Sequence, residues 1–183
     1  MSGALRRAFL AAVPPDPVLE AVDALVSAGT RRGFRWTQRH QWHVTIQYFG
    51  RVDDPDGLIG ALAGPLVAVP AAAVQLRGAG AFPSERRASV YWLGVADPEP
   101  LAEVHRAVMS AAGDYVRPRD RTGYVPHLTL ARLPSAKKLD ADIAALRDIS
   151  FGPPWTVEEI TLFESETRRE GAIYREIARL PLG

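Results

Sequence analysis

The sequence predicts an α+β fold of two pseudo-symmetric lobes, each an antiparallel sheet with helices on its outer face, flanking a central cleft. Three observations predict it. Short β-branched and aromatic runs alternate with amphipathic helical stretches, the pattern of sheets covered by helices. Two pairs of strand-like runs are joined by short segments, as antiparallel hairpins are. The motif His-x-Thr-x occurs twice, as His43-Val44-Thr45-Ile46 and His127-Leu128-Thr129-Leu130, 84 positions apart. That spacing exceeds the periods of solenoid repeats and fits one duplicated lobe, each half carrying a helix and a motif-bearing strand.

The elements follow in order. Residues 8–13 read as a buried strand, after which Pro14, Pro15, Asp16 and Pro17 supply a turn, a cap and a proline in the first helical turn. A helix over 17–28 carries Val18, Leu19, Val22, Leu25 and Val26 at helical spacing and ends at Gly29. Residues 42–49 have the content of a strand, and Asp53-Asp54-Pro55 caps a second helix reaching about Ala68. Strands over 73–80 and 88–95 form a hairpin around the polar loop Phe82 to Arg87. A third helix over 99–112 shows Leu101, Val104, His105 and Val108 on one stripe. A strand over 125–133, a short helix over 139–147 and a closing pair of strands over 155–163 and 172–178 complete the chain.

At 183 residues, 47% of them hydrophobic, the chain has the size of a single domain, expected to span 1–183 as one bilobal unit. Its 22 basic and 21 acidic side chains leave a net charge of +1, so no global field draws it onto nucleic acid and any such contact is local. Only Lys137 and Lys138 are lysines; the guanidiniums that make up the rest grip phosphate bidentately, although composition bias also enriches arginine. The absence of cysteine removes disulfides, thiolate nucleophiles and Cys-based zinc sites. The apolar run ending at Val13 is too short to span a bilayer and lacks a signal cleavage site, so a cytoplasmic protein is expected, with no membrane partner.

In a strand, His43 and Thr45 share one face while Val44 and Ile46 point into the core, and His127 and Thr129 repeat this against Leu128 and Leu130. Facing lobes would converge two imidazoles and two hydroxyls. Such a quartet suits phosphodiester chemistry: one imidazole takes a proton from water, the other delivers one to the departing oxygen, and the hydroxyls donate to the charged phosphoryl oxygens. A metal site is the competing use of two histidines, but the neighbours on the expected cleft face are Thr and Gln47 rather than carboxylates, a poor zinc shell. Neither cofactor nor metal is expected. Either motif alone would signify nothing beyond a strand; the matched pair carries the inference.

These residues resemble the two-histidine (2H) phosphoesterase superfamily, and within it the RNA 2',3'-cyclic phosphodiesterases, also called 2'-5' RNA ligases. The likeness runs end to end: Arg7-Ala8-Phe9-Leu10-Ala11, then Trp42 to Ile46 with Phe49-Gly50, then Gly78 to Pro83 with Val90 to Val95, then Pro126 to Arg132, then Leu162 to Ser165 with Tyr174. Gln41-Trp42, Ser165-Glu166-Thr167 and Gly171-Ala172 depart from the family's usual pattern without touching the quartet. The resemblance implies hydrolysis of RNA terminal 2',3'-cyclic phosphates to 2'-phosphates, with reversible 2'-5' joining in some members. It implies His43 and His127 as catalytic residues, His127 as base and His43 as acid, with Thr45, Thr129, Arg132 and Tyr48 binding substrate. Strict alternation puts Arg132 on the face opposite His127, so a bulge or the strand's end must turn it inward. Tyr48 holds the same offset from His43, where it either packs in the core or carries a base on its ring. The Arg86-Arg87 loop and Arg117, Arg119 and Arg121 are candidates for RNA backbone contacts or are simply solvated; His40 and His105 look non-catalytic. The expected partners are RNA ends or 2',3'-cyclic nucleotides, bound by a monomer. Action on other cyclic or 2'-5'-linked nucleotides, and a non-catalytic module that binds RNA ends or nucleotides, are the alternatives.

Overall fold

The computed structural model describes residues 3–29, 33–117, 123–168 and 171–183. Among the described residues, nine strands form one curled antiparallel sheet: β1 (Leu5–Ala12), β2 (Arg35–Trp36), β3 (Val44–Val52), β4 (Ala72–Phe82), β5 (Ala88–Val95), β6 (Leu128–Lys137), β7 (Ser150–Val157), β8 (Glu159–Arg168) and β9 (Gly171–Pro181). Their spatial order is β7-β4-β5-β6-β3-β1-β8-β9, with β2 lying against β6. Four α-helices among the described residues cover it: α1 (Asp16–Ala28), α2 (Pro55–Val67), α3 (Glu99–Ala112) and α4 (Asp140–Leu146).

The expected two-lobed α+β architecture is the observed one, but the lobes are not the two halves of the sequence. Strands β4 to β7, all from the middle of the chain, build one lobe, and β1, β3, β8 and β9, from its two ends, build the other. The motif strands β6 and β3 are innermost in each, meeting at the register pair Val44 and Leu128. The helices cross between lobes as well: α3 packs on both β3 and β4, while α2 packs on α3 and β9.

Helix boundaries obey local chemistry. Asp54 accepts a hydrogen bond from the Gly57 N–H at 2.9 Å, satisfying a free amide at the start of α2, and Pro55 occupies a first-turn position where no N–H is needed. Leu58, Leu62 and Leu66 then bury one side of α2. In α1 the expected cap at Asp16 is instead the first helical residue: Pro15 precedes the helix without a side-chain bond, and Asp16 sits in the first turn, where the helix dipole favours its charge.

Two expectations need correction at the C-terminal end. The run 155–163 divides at Glu158: its first part finishes β7 in one lobe and its second begins β8 in the other. The strand expected from Trp155 begins at Ser150 and runs through Gly152, Pro153 and Pro154; among the described residues β7 pairs only with β4, and an edge strand tolerates prolines because one side of it needs no N–H. The two-residue β2 carries no periodicity to detect. Among the described residues, no helix is long and apolar enough to cross a membrane.

Candidate active site

Each motif histidine stands immediately before its strand, one residue ahead of Val44 in β3 and of Leu128 in β6. Val44, Ile46, Leu128 and Leu130 are buried in the core as expected, anchoring the strands while the imidazoles and hydroxyls face the other way. The two histidines are held alike. The Nδ1 of His43 lies 2.7 Å from the Gln41 carbonyl, and the Nδ1 of His127 lies 2.7 Å from that of Val125. A carbonyl can only accept, so Nδ1 carries the proton in both rings and Nε2 is left to work. The Thr45 hydroxyl sits 3.1 Å from the Nε2 of His43.

The turn that Arg132 required is present, and it occurs twice. Along β6, Thr129 pairs with Trp92 and Ala131 with Tyr91, so Leu130 is an extra residue without a partner in β5. Along β3, Thr45 pairs with Ala11 and Gln47 with Leu10, so Ile46 is extra in the same way. An inserted residue reverses the alternation beyond it. Ala131 and Gln47 become buried, and Arg132 and Tyr48, each five positions after its histidine, swing to the cleft face. This corrects the expected placement of Gln47 on that face: it is 6% exposed, its amide donating to the Tyr48 carbonyl at 2.7 Å. It also removes core packing as the role of Tyr48, which is 40% exposed.

His43, Thr45, Tyr48, His127, Thr129 and Arg132 therefore line one cavity of about 250 Å³. Arg7, Ser165 and Tyr174 from the outer strands line it too. Sequence reasoning gave these no role; the signal available was their place in the family-like segments around β1, β8 and β9. Aromatic walls fix the imidazoles. His43 packs against Phe9 and Tyr174, with centroids 4.9 and 5.2 Å away, and His127 against Phe82 and Trp92, at 4.9 and 5.7 Å. Desolvation by these walls lowers the His43 pKa from 6.5 to about 4, opposed by its bond to Gln41 and assisted by the nearby His127 and Arg132 charges. His127 is lowered by the same kind of burial, with Arg132 again contributing. Burial raises the Tyr174 hydroxyl, partly countered by Arg132 and Arg7.

A second cavity of about 430 Å³ adjoins the first, sharing Thr45, Tyr48 and His127 and extending to Phe82, His105 and Tyr124. His40 lies apart from the quartet's cavity, in a 3-10 turn over Arg39–Gln41. Arg86 and Arg87 are exposed in a 3-10 turn between β4 and β5, and Arg117 is exposed after α3. Arg119 and Arg121 lie outside the described residues.

With this geometry established, comparison with known proteins gives a consistent result. A profile of the 2'-5' RNA ligase superfamily matches residues 14–169. The chain belongs to the 2'-5' RNA ligase superfamily. Among its relatives in the superfamily, the Thermus thermophilus protein named RNA 2',3'-cyclic phosphodiesterase is 33% identical over 187 aligned positions, covering 96% of this chain and 90% of the relative. A protein of the same name from Methanothermobacter thermautotrophicus is 29% identical over 169, covering 88% and 89%. In fold, the chain matches a crystal structure of a Thermus thermophilus protein with a TM-score of 0.79 at 23% identity, covering 96% of this chain and 97% of that one. It matches E. coli LigT in its apo form with a TM-score of 0.78 at 24% identity, covering 99% of both.

Proposed function

We propose that the chain hydrolyses the terminal 2',3'-cyclic phosphate of RNA to a 2'-phosphate by acid–base catalysis without a metal. The observation that carries this reading is the duplicated imidazole: two rings, each with Nδ1–H tied to the carbonyl two residues back, line one cavity with two threonine hydroxyls and Arg132. One Nε2 takes a proton from the attacking water while the other protonates the ribose 3'-oxygen as its bond to phosphorus breaks. Thr45, Thr129 and Arg132 hold the non-bridging oxygens as charge builds on them. The donor set favours an anion: among the described residues the cavity is lined by Arg7 and Arg132 and by no carboxylate, so a divalent cation would meet two imidazoles beside two guanidiniums. The names of the relatives supply the substrate class, cyclic phosphate at an RNA end. With a 5'-hydroxyl in place of water, the same forward steps join two ends through a 2'-5' bond as the 3'-oxygen departs, and run backwards they cleave that bond to regenerate the cyclic phosphate.

The roles implied by the resemblance, His127 as base and His43 as acid, fit the contacts. The Thr45 hydroxyl lies 3.1 Å from the Nε2 of His43, so an oxygen held by Thr45 would stand close to that nitrogen. The charge of a bound phosphate opposes the desolvation that keeps this ring neutral before substrate binds. The test is incubation with 2',3'-cyclic AMP and detection of the monophosphate. His43→Ala and His127→Ala should each lower kcat by at least about 10²-fold with circular dichroism unchanged, and EDTA should have no effect. Tight binding without product would replace this reading with a nucleotide-binding module, and normal turnover in either variant would refute it.

A further inference from the structure

The extra residue of each bulge has its carbonyl gripped by a group that no sequence motif marks, and the two grips are crossed. In β3, the Ile46 carbonyl lies 2.9 Å from the Nδ1 of His105, on α3. Because a carbonyl only accepts, Nδ1–H is the donor. The same imidazole lies flat on Tyr124, with centroids 4.4 Å apart and planes 5° from parallel. Tyr124 precedes Val125, whose carbonyl orients His127. Among the described residues the buried Tyr124 hydroxyl has no hydrogen-bond partner, and the stack on His105 is what locates the ring. His105 thus ties the bulge of the first motif to the approach of the second.

Thr37 does the reverse. Its N–H donates to the Leu130 carbonyl at 2.9 Å, and its hydroxyl proton is shared between the Leu130 and Thr129 carbonyls, each at 2.8 Å, gripping the bulge of the second motif. Its hydroxyl oxygen accepts from the Nε1–H of Trp42 at 2.9 Å, and Trp42 directly precedes His43. We infer that His105 and Thr37 are positioning residues, two crossed braces that each fix one motif's bulge relative to the other motif's histidine. They keep Tyr48 and Arg132 turned into the cleft and the imidazoles in mutual register. Tightening either brace on one strand constrains the other, so the distance between acid and base is set by the pair.

This inference rests on the proposed phosphodiesterase reading for its kinetic test. His105→Phe keeps the stack and loses the donor; His105→Asn restores a donor near the Nδ1 position. Thr37→Val removes the hydroxyl at nearly constant shape, and Thr37→Ser keeps it. His105→Phe and Thr37→Val should lower kcat about 10- to 100-fold, as a displacement of reacting groups by an ångström or less does, with KM little changed and the folded far-UV spectrum retained. Thr37→Ser should recover most of the loss, and His105→Asn, which regains the donor but not the ring on Tyr124, should recover part of it. Wild-type kcat in His105→Phe and Thr37→Val overturns the proposal, as does an equal loss in the conservative variants. If the wild-type protein turns over no cyclic nucleotide, the proposed function fails on its own. The braces are then read by imidazole nitrogen NMR, where His105→Phe, by freeing the Ile46 bulge, and Thr37→Val, by freeing the Trp42 indole, should each shift the His43 signals. Unshifted signals overturn the braces independently.

Discussion

Val44 and Leu128 are direct partners across the junction of β3 and β6, and each is the residue after a motif histidine. This one pairing explains the pseudo-symmetry of the cleft. Moving outward from it, β6 answers β3, β5 answers β1, β4 answers β8 and β7 answers β9. The aromatic walls come from corresponding strands, though not from corresponding positions: Phe9 of β1, opposite Tyr48, packs on His43, and Trp92 of β5, opposite Thr129, packs on His127. Two core-facing residues locked in register thereby bring their preceding imidazoles to the same cavity.

Burial of that pair has a cost that depends on pH. The folded protein holds the His43 pKa near 4, below the ordinary 6.5, chiefly through desolvation. The unfolded chain therefore binds this proton more readily. The resulting stability is present in full above about pH 6.5 and is lost as pH falls toward about 4, by up to about 3 kcal/mol and by less where the cleft admits water. Urea unfolding at about pH 7.5 and pH 4.5 should show His43→Asn losing about 1 to 2 kcal/mol less than the wild type between the two conditions. An identical loss in both proteins would show that His43 is not the group responsible.

The paired bulges predict that Tyr48 and Arg132 contribute differently from equivalent places. Arg132 offers a planar fork that an ammonium cannot reproduce, so Arg132→Lys should lower kcat/KM about 10- to 100-fold despite the retained charge. Tyr48 offers only a ring face. Tyr48→Ala should raise KM by roughly tenfold or more while kcat changes little, matching about 1 to 3 kcal/mol for a stacked base, and Tyr48→Phe should be near wild type. A loss of kcat in Tyr48→Phe would assign the hydroxyl, not the ring.

What the sequence made legible was whatever repeats locally. Helix α3 begins and ends as expected because its buried Leu101, Val104 and Val108 recur at helical spacing. The quartet was legible because the two motifs are contiguous. The bulges were demanded by the position of Arg132 but could not be located, since a bulge is a property of two paired strands and the partners of Ile46 and Leu130 lie far along the chain. His105 looked non-catalytic, and its contact with the first motif was hidden for the same reason: its acceptor is 59 positions away. The interleaving of the lobes was hidden because the run across Glu158 is continuous in character while its halves join different lobes.

Gly80 faces Trp92 across the hairpin, and a Cβ there would stand 2.1 Å from the indole. The glycine is what lets that ring lie across the strand, against Phe82 at 5.2 Å and His127 at 5.7 Å. Gly80→Ala should force the indole out, destabilising the fold by about 1 to 3 kcal/mol as overpacking does. It should also release His127 from its wall, raising that ring's pKa toward the ordinary value as solvent enters. NMR titration of His127 in the variant checks this; an unchanged midpoint would show that Trp92 does not set the environment of the imidazole.

The division of labour between the two histidines can be separated by changing the leaving group. Each ring is neutral before substrate binds, with Nδ1–H donated to a carbonyl, so each begins as a competent base and one must acquire a proton to act as acid. In the proposed reaction a bound phosphate would supply the field that makes this possible, held close to His43 by the Thr45 hydroxyl, whose oxygen lies 3.1 Å from the His43 Nε2. The acid matters only if the departing atom needs a proton. In a 2',3'-cyclic substrate whose 3'-bridging oxygen is replaced by sulfur, the leaving thiolate departs without one. His43→Ala should then regain most of the activity it loses on the oxygen substrate, whereas His127→Ala, lacking the group that activates water, should stay impaired by about 10²-fold or more. Rescue of His127→Ala alone would reverse the two roles. Equal impairment of both variants on the sulfur substrate would mean that neither histidine acts chiefly on the leaving group.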